Sequence, residues 1–217
     1  MQFDIITIFP NMFDSFLKES LIQKALKKGL IKINVHDLRK WTKDKHKSVD
    51  DKPFGGGPGM VLMAEPIIKA VNKVKQKRKN TKVILFSPTG KQFKQKMAES
   101  FSKLDQVIMI CGRYEGIDAR VEQIIDEKIS VGPYVLSGGE LPAMLMSESI
   151  SRLLPGYMHN PESLIDESHN DEMLEYPQYT RPEEIKIQGK QISVPKVLLS
   201  GDHKKIKEWK KNNSKSI

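Results

Sequence analysis

Cysteine is nearly missing from this 217-residue chain: Cys111 stands alone. That excludes a disulfide framework and any zinc site built from several cysteines. The five histidines, at 36, 46, 159, 169 and 203, are scattered with no ligand spacing, so no metal site is expected from them. No apolar run approaches the roughly 18 residues that span a bilayer, and no membrane partner is expected. Met1-Gln2-Phe3-Asp4 is not a basic segment leading into a long apolar stretch, which speaks against a secretory signal. The chain also lacks G-x-x-x-x-G-K-[ST], and no G-x-G-x-x-G stands at a strand–helix junction, which disfavours a phosphate-cradling nucleotide site. The expectation is a soluble, cytoplasmic globular protein.

What is present in excess is positive charge. Lys and Arg number 36 against 27 Asp and Glu, for a net charge of +9 and a pI near 9.4. Residues 69–82 carry Lys69, Lys73, Lys75, Lys77, Arg78, Lys79 and Lys82 and no acid, and residues 204–215 are similarly cationic. A polyanion such as nucleic acid fits this balance, since phosphate contacts supply salt-dependent affinity. A solvated lysine surface accounts for the same numbers equally well. Length allows one full domain with a small second one appended.

The first 155 residues alternate between strand and helix signals. Ile5–Phe9 reads as a strand, and a helix is predicted from Asn11 to a C-cap at Gly29, with Phe13, Phe16, Leu17, Leu21 and Ala25 on one face. Ile31, Ile33 and Val35 alternate as a second strand. Residues 40–60 form a long polar loop, and Pro66 opens a helix holding Ile67, Ile68, Val71 and Val74. Val83–Phe86 and Val107–Ile110 are unbroken apolar runs, as in central strands of a parallel sheet. Helices are predicted over 92–101, 117–126 and 141–154, with a strand near Ile129. The class is α/β, built from βαβ units. After Pro155-Gly156 periodicity fades through residue 180, a linker-like texture, before an amphipathic basic stretch around Ile206 and Trp209.

Three loops follow strands at one edge of the sheet, where open α/β folds bind ligands. They are Ser87-Pro88-Thr89-Gly90, Cys111-Gly112-Arg113-Tyr114-Glu115-Gly116 and Val131 through Glu140. Glycine there lets backbone N–H and C=O groups come close to a heterocycle; a plain tight turn is the alternative for any one of them. Phe54-Gly55-Gly56-Gly57-Pro58-Gly59-Met60 ends the polar loop as a lid, an anion nest or a linker. Cys111, with no histidine within ten residues, reads as a buried structural thiol before a nucleophile. Asp166, Glu167, Asp171 and Glu172 are either a solvated acidic loop or functional acids.

Taken together, the run Val49 to Met60, Cys111 to Asp118, and Tyr134-Val135-Leu136-Ser137-Gly138-Gly139-Glu140-Leu141-Pro142-Ala143 resemble the bacterial tRNA (guanine-N1)-methyltransferases of the knotted SPOUT class. Tyr179-Thr180-Arg181-Pro182 and Val197-Leu198-Leu199-Ser200-Gly201 match as well, so the resemblance spans nearly the whole chain. It implies a SPOUT-type parallel sheet with a deep trefoil knot over 1–156, a linker over 157–172 and a short, mainly helical C-terminal tRNA-binding domain over 173–217. It implies transfer of a methyl group from S-adenosylmethionine to N1 of guanine 37 in tRNA by a homodimer with its active sites at the interface. Ser87, Pro88, Gly112, Tyr114, Glu115, Val131, Gly132, Pro133, Tyr134, Val135, Leu136, Ser137, Gly138, Gly139 and Pro142 would then hold the cofactor. Asp50, Gly55, Gly57, Gly59, Glu115 and Arg152 would meet the substrate, with Arg152 the cation that stabilises charge on guanine O6. Glu115 is expected at the target guanine or at magnesium, the further ligand the resemblance raises.

Three departures stand out. The family's linker base is an Asp before a Ser, whereas this chain has Asp166-Glu167-Ser168; counting places Glu167 at the base position, with Asp166 the alternative. Pro133 replaces an acid common in the cofactor loop and removes a backbone donor. The sequence stops at Ile217, where relatives usually continue, so the C-terminal domain is expected to be minimal. Two other readings compete: a non-catalytic RNA-binding protein on the same fold, and an enzyme acting on another purine or RNA.

Overall fold

The structure is a computed structural model and describes residues 1–75, 80–158 and 173–216. Asp166, Glu167 and nearly all of the expected linker lie outside the described residues. The chain divides into two compact units, 1–159 and 160–217.

The first unit is a five-stranded parallel sheet in the order β2-β1-β6-β5-β7. Its strands are β1 (Gln2–Thr7), β2 (Lys32–Asp37), β5 (Thr81–Gln92), β6 (Gln106–Ile110) and β7 (Glu127–Ser130). The short pair β3 (Asp50–Asp51) and β4 (Val61–Leu62) lies apart from it. Alternate residues of each strand enter opposite cores, as a two-residue period requires. On one face Phe3, Ile5, Ile84, Phe86, Val107, Met109 and Ile129 pack under α2 (Ser20–Lys27), α4 (Gln95–Phe101) and α5 (Glu140–Ser151). On the other, Ile6, Ile8, Val83, Leu85, Ile108 and Ile110 pack under α3 (Ala64–Val74). Covered on both faces, the central strands can be apolar without interruption.

One polar cluster interrupts the second core. Asp4 is buried and accepts from His36 Nε2 at 2.7 Å, Gln2 Nε2 at 2.7 Å, Asn34 Nδ2 at 2.9 Å and Gln106 Nε2 at 2.7 Å. Burial pushes its carboxyl up, but the four donors together outweigh burial and leave it below the ordinary carboxylate range.

Several elements differ from expectation. The helix predicted from Asn11 is three pieces: a 3₁₀ turn at Pro10–Phe13, α1 (Asp14–Lys18) and α2, broken where Glu19 is extended and Ser20 takes φ 56°. Its end is as predicted, with Leu30 N–H donating to Ala25 O and Gly29 N–H to Leu26 O around Gly29 at φ 70°. Pro66 is the third residue of α3, since the helix begins at Ala64. The helix predicted over 117–126 is a 3₁₀ helix at Ala119–Ile124. Ile117 bridges Leu62 and Asp118 N–H donates to Leu62 O, so coiling starts only at Ala119 and β7 begins at Glu127. Tyr157, assigned to the linker, is 5% exposed and belongs to the first core.

The largest difference concerns Ser87–Gly90. The chain does not leave the sheet there, because Lys91 and Gln92 pair with Ile129 and Ser130. Ile129 is thus the partner of both Phe86 and Lys91. A strand residue has one partner on each edge, so two segments of β5 flank β7. The crossing is close: a Cβ on Gly90 would lie 2.6 Å from Ile129 N, and only glycine passes.

The second unit is mixed rather than mainly helical. It holds α6 (Lys196–Leu199) and α7 (His203–Asn213), a hairpin of β9 (Glu184–Ile187) and β10 (Lys190–Ser193), and the short pair β8 (Met173–Leu174) with β11 (Lys215–Ser216). Gln188 and Gly189, at φ 49° and 79°, close the hairpin by a tight turn with both central residues left-handed.

Candidate active site

The Ser87–Gly90 stretch within β5 and the loops at the carboxyl ends of β6 and β7 enclose a cavity of about 470 Å³. The loops are held against one another by main chain. Gly139 N–H donates to Gly112 O at 3.1 Å, and a Cβ on Gly139 would lie 2.6 Å from Cys111 Cα. Every residue expected to hold the cofactor lines the cavity except Gly132 and Pro133. Gly132 is buried under the Tyr134 ring and Pro133 points to solvent. The sequence reading missed Leu85, Phe86, Thr89, Arg113, Gly116, Ile117, Glu122, Lys128, Ile129 and Ser130 in the walls. The first two were legible as strand, and their place at the strand's carboxyl end was the available signal.

The residues expected to meet the substrate are spread more widely. Gly59 lies beneath Glu115: a Cβ there would come within 2.5 Å of Glu115 Cγ. Glu115 N–H donates to Met60 O and Leu62 N–H to Gly116 O, both at 3.0 Å, which stitches the end of the long polar loop to the cavity wall. Asp50 is half-buried in β3, and Gly55 and Gly57 are exposed in the loop between β3 and β4. Arg152 caps the C-terminus of α5, at the far end of the helix from Gly139 and Pro142. At 1.5 Å per residue, Arg152 is about 15 Å along the helix from Pro142 at the cavity edge.

The electrostatics under the loops centre on Glu140, the first residue of α5 and fully buried. One oxygen accepts from Thr7 Oγ1 at 2.6 Å and the other from Arg113 Nε at 2.9 Å. Burial pushes the neighbouring Cys111 thiol well up, and the Glu140 carboxylate adds to the rise. Cys111 is therefore a protonated structural thiol, and the nucleophile reading falls away. Next to the cavity, hydrogen bonds from Arg120 hold the Asp118 carboxyl down at about 2. Among the described residues no three His, Cys, Asp or Glu side chains gather as a metal cluster.

The profile of the family described as tRNA (Guanine-1)-methyltransferase TrmD matches residues 1–216. The chain belongs to this family. Curated relatives similar over nearly the whole of this chain are each named tRNA (guanine-N(1)-)-methyltransferase. The Thermomicrobium roseum protein is 51% identical over 213 residues, covering 97% of this chain and 78% of the relative. That of Dictyoglomus turgidum is 49% identical over 214 residues, covering 99% and 85%. That of Clostridioides difficile is 46% identical over 217 residues, covering 99% and 92%. As a TrmD-family methyltransferase the chain is an enzyme with a mixed α/β, parallel five-stranded domain, and among its described residues no helix is long and apolar enough to cross a membrane.

Proposed function

We propose that the chain transfers a methyl group from S-adenosylmethionine to N1 of guanine 37 in tRNA, in the cytoplasm, as a homodimer. The observation that carries this reading is the three-loop cavity in a chain of this family. Its size falls in the range of small-molecule sites, and its walls suit the donor. Leu85, Phe86, Val131 and Leu136 offer apolar surface to a flat ring, and main chain from 131 to 138 offers donors and acceptors to the ring's edge. When bound, S-adenosylmethionine supplies an electrophilic methyl group on a sulfonium.

The chain's own residues then do three things. The loops orient the donor, and orientation can supply up to roughly 7–11 kcal/mol of rate acceleration. Glu167, or Asp166 in its place, takes the proton from guanine N1, which contributes about 10²–10⁴-fold. Arg152 stabilises the charge that grows on O6. In one chain Arg152 is a helix length from the cavity, so the reading needs a second copy to bring it there. The exposed apolar side chains Phe9, Met12, Leu141 and Leu145, on α5 and the turn packed beside it, support such pairing. The crossing of β5 around β7 supports the trefoil knot. Of the two carboxylates lining the cavity Glu122 is paired with Lys128, which leaves Glu115 for magnesium, and no step is assigned to it. The second unit, beyond the linker, would grip tRNA through Lys204, Lys205 and Lys207.

Labelled S-adenosylmethionine with tRNA transcripts carrying guanine or adenine at position 37 tests this. Incorporation is expected with guanine alone, and Glu167→Gln should lower kcat by about 10²–10⁴-fold with Asp166→Asn near wild type. Donor binding without any incorporation would replace the reading by non-catalytic RNA binding.

A further inference from the structure

Arg113, Glu115, Glu122 and Lys128 are the charged side chains among the residues lining the cavity. Lys128 pairs with Glu122 at the partly exposed wall, and Glu115 is exposed. Arg113 differs, because its partners are inside the protein. Its Nε and Nη2 each lie 2.9 Å from one oxygen of Glu140, which has no exposure at all. Glu140's other oxygen is committed to Thr7, itself 1% exposed. On the outer side the guanidinium stacks 4.8 Å from the Phe9 ring, with Nη2 3.1 Å from Met12 Sδ. On the inner side Gly138 presses against it: a Cβ there would come within 2.2 Å of Nε.

An ion pair this deep gains little over apolar packing of the same volume, because desolvation offsets the attraction. What it provides is fixed geometry, since the planar fork accepts few arrangements. Here the fork joins four things: the loop after β6, the turn entering α5, the end of β1 and the Pro10–Phe13 turn. Residues 111–113 and 137–139 meet in the cavity wall, where Gly139 N–H donates to Gly112 O at 3.1 Å, and the Arg113–Glu140 pair braces that junction.

We propose that Arg113 is a positioning residue for the methyl donor, acting through Glu140 on the 137–139 main chain. The inference rests on the donor site proposed above. Arg113→Lys keeps the charge and loses the fork. It should raise KM for S-adenosylmethionine about tenfold, leave kcat at saturating donor within about twofold and leave KM for tRNA unchanged. Calorimetric Kd for S-adenosylhomocysteine should rise by the same factor. Thr7→Val, which frees the other side of Glu140, should shift the same Kd in the same direction by less.

A merely structural role would lower the melting temperature and the active fraction without moving the donor's KM. Unchanged donor Kd in folded Arg113→Lys overturns the proposal, as does a collapse of kcat with KM preserved, which would put Arg113 at the reacting atoms. Should Arg113→Lys fail to fold, unchanged Kd in Thr7→Val overturns it alone. Absence of donor binding by the wild-type chain would overturn the donor site itself, and the inference with it, before any variant is compared.

Discussion

The first unit buries an apolar cluster on each face of its sheet, whereas none of the described residues from 175 to 214 in the second unit is buried. The second unit is held by local devices instead. Tyr176 and Tyr179 meet the Trp209 ring edge-on at 6.5 and 6.2 Å, and Lys210 lies 4.6 Å over Tyr176. Asp202 caps α7 by accepting from Lys204 and Lys205 N–H. A chain segment this small encloses little interior, so turns, caps and ring contacts carry a larger share of its stability. The positioning work of the site, which needs fixed backbone spacing, falls to the unit with an interior.

Three measurements sharpen or break this contrast. The largest effect is expected for Phe101→Ala, a 2%-exposed ring in the first core, which should cost about 3–5 kcal/mol in denaturant unfolding. A cost near zero would mean the first unit's core does not carry its stability. The middle effect comes from acid. Asp4's carboxyl is lowered on folding, so its contribution is complete above the ordinary carboxylate pKa of about 3.9 and fades as pH falls through the folded value. Asp4→Asn should therefore lose stability at neutral pH and show a shallower fall below about pH 4. A parallel pH profile in wild type and variant would show that the four donors do not favour the charged form. The smallest effect is expected for Trp209→Ala, which should leave the first unit's melting within about 0.5 kcal/mol of wild type. With Trp41 in the first unit and Trp209 in the second, Trp41→Phe and Trp209→Phe variants report each unit's unfolding by fluorescence. Coincident transitions in the two would break the contrast.

What could be foreseen from sequence was whatever depends on near neighbours. The apolar runs at 83–86 and 107–110 are strands because both their faces are covered, and Gly29 ends a helix because of its own backbone. The ligand edge followed from strand-then-glycine order, and the three stretches at 87–90, 111–116 and 131–140 were expected there for that reason. The unforeseen parts depend on contacts distant in sequence. Lys91, and Gln92 at the start of the helix predicted over 92–101, become strand through β7. Glu140 looks like an exposed helix-start acid and is buried because Arg113 and Thr7 reach it from other elements. The hairpin at 184–193 was a missed local signal: Ile185, Ile187 and Ile192 alternate with polar residues around Gln188-Gly189, and the basic stretch beyond drew the reading toward helix.

The strand order carries a cost in time. β1 lies between β2 and β6, so one of its edges is paired soon after synthesis while the other waits for residues 106–110. At about 5–20 residues per second, roughly a hundred intervening residues leave that edge open for about 5–20 s on the ribosome. Throughout that interval a strand of Phe3, Ile5 and Ile6 presents unpaired backbone to whatever else is nearby. A nascent chain of this topology depends on being kept apart from its neighbours until β6 arrives.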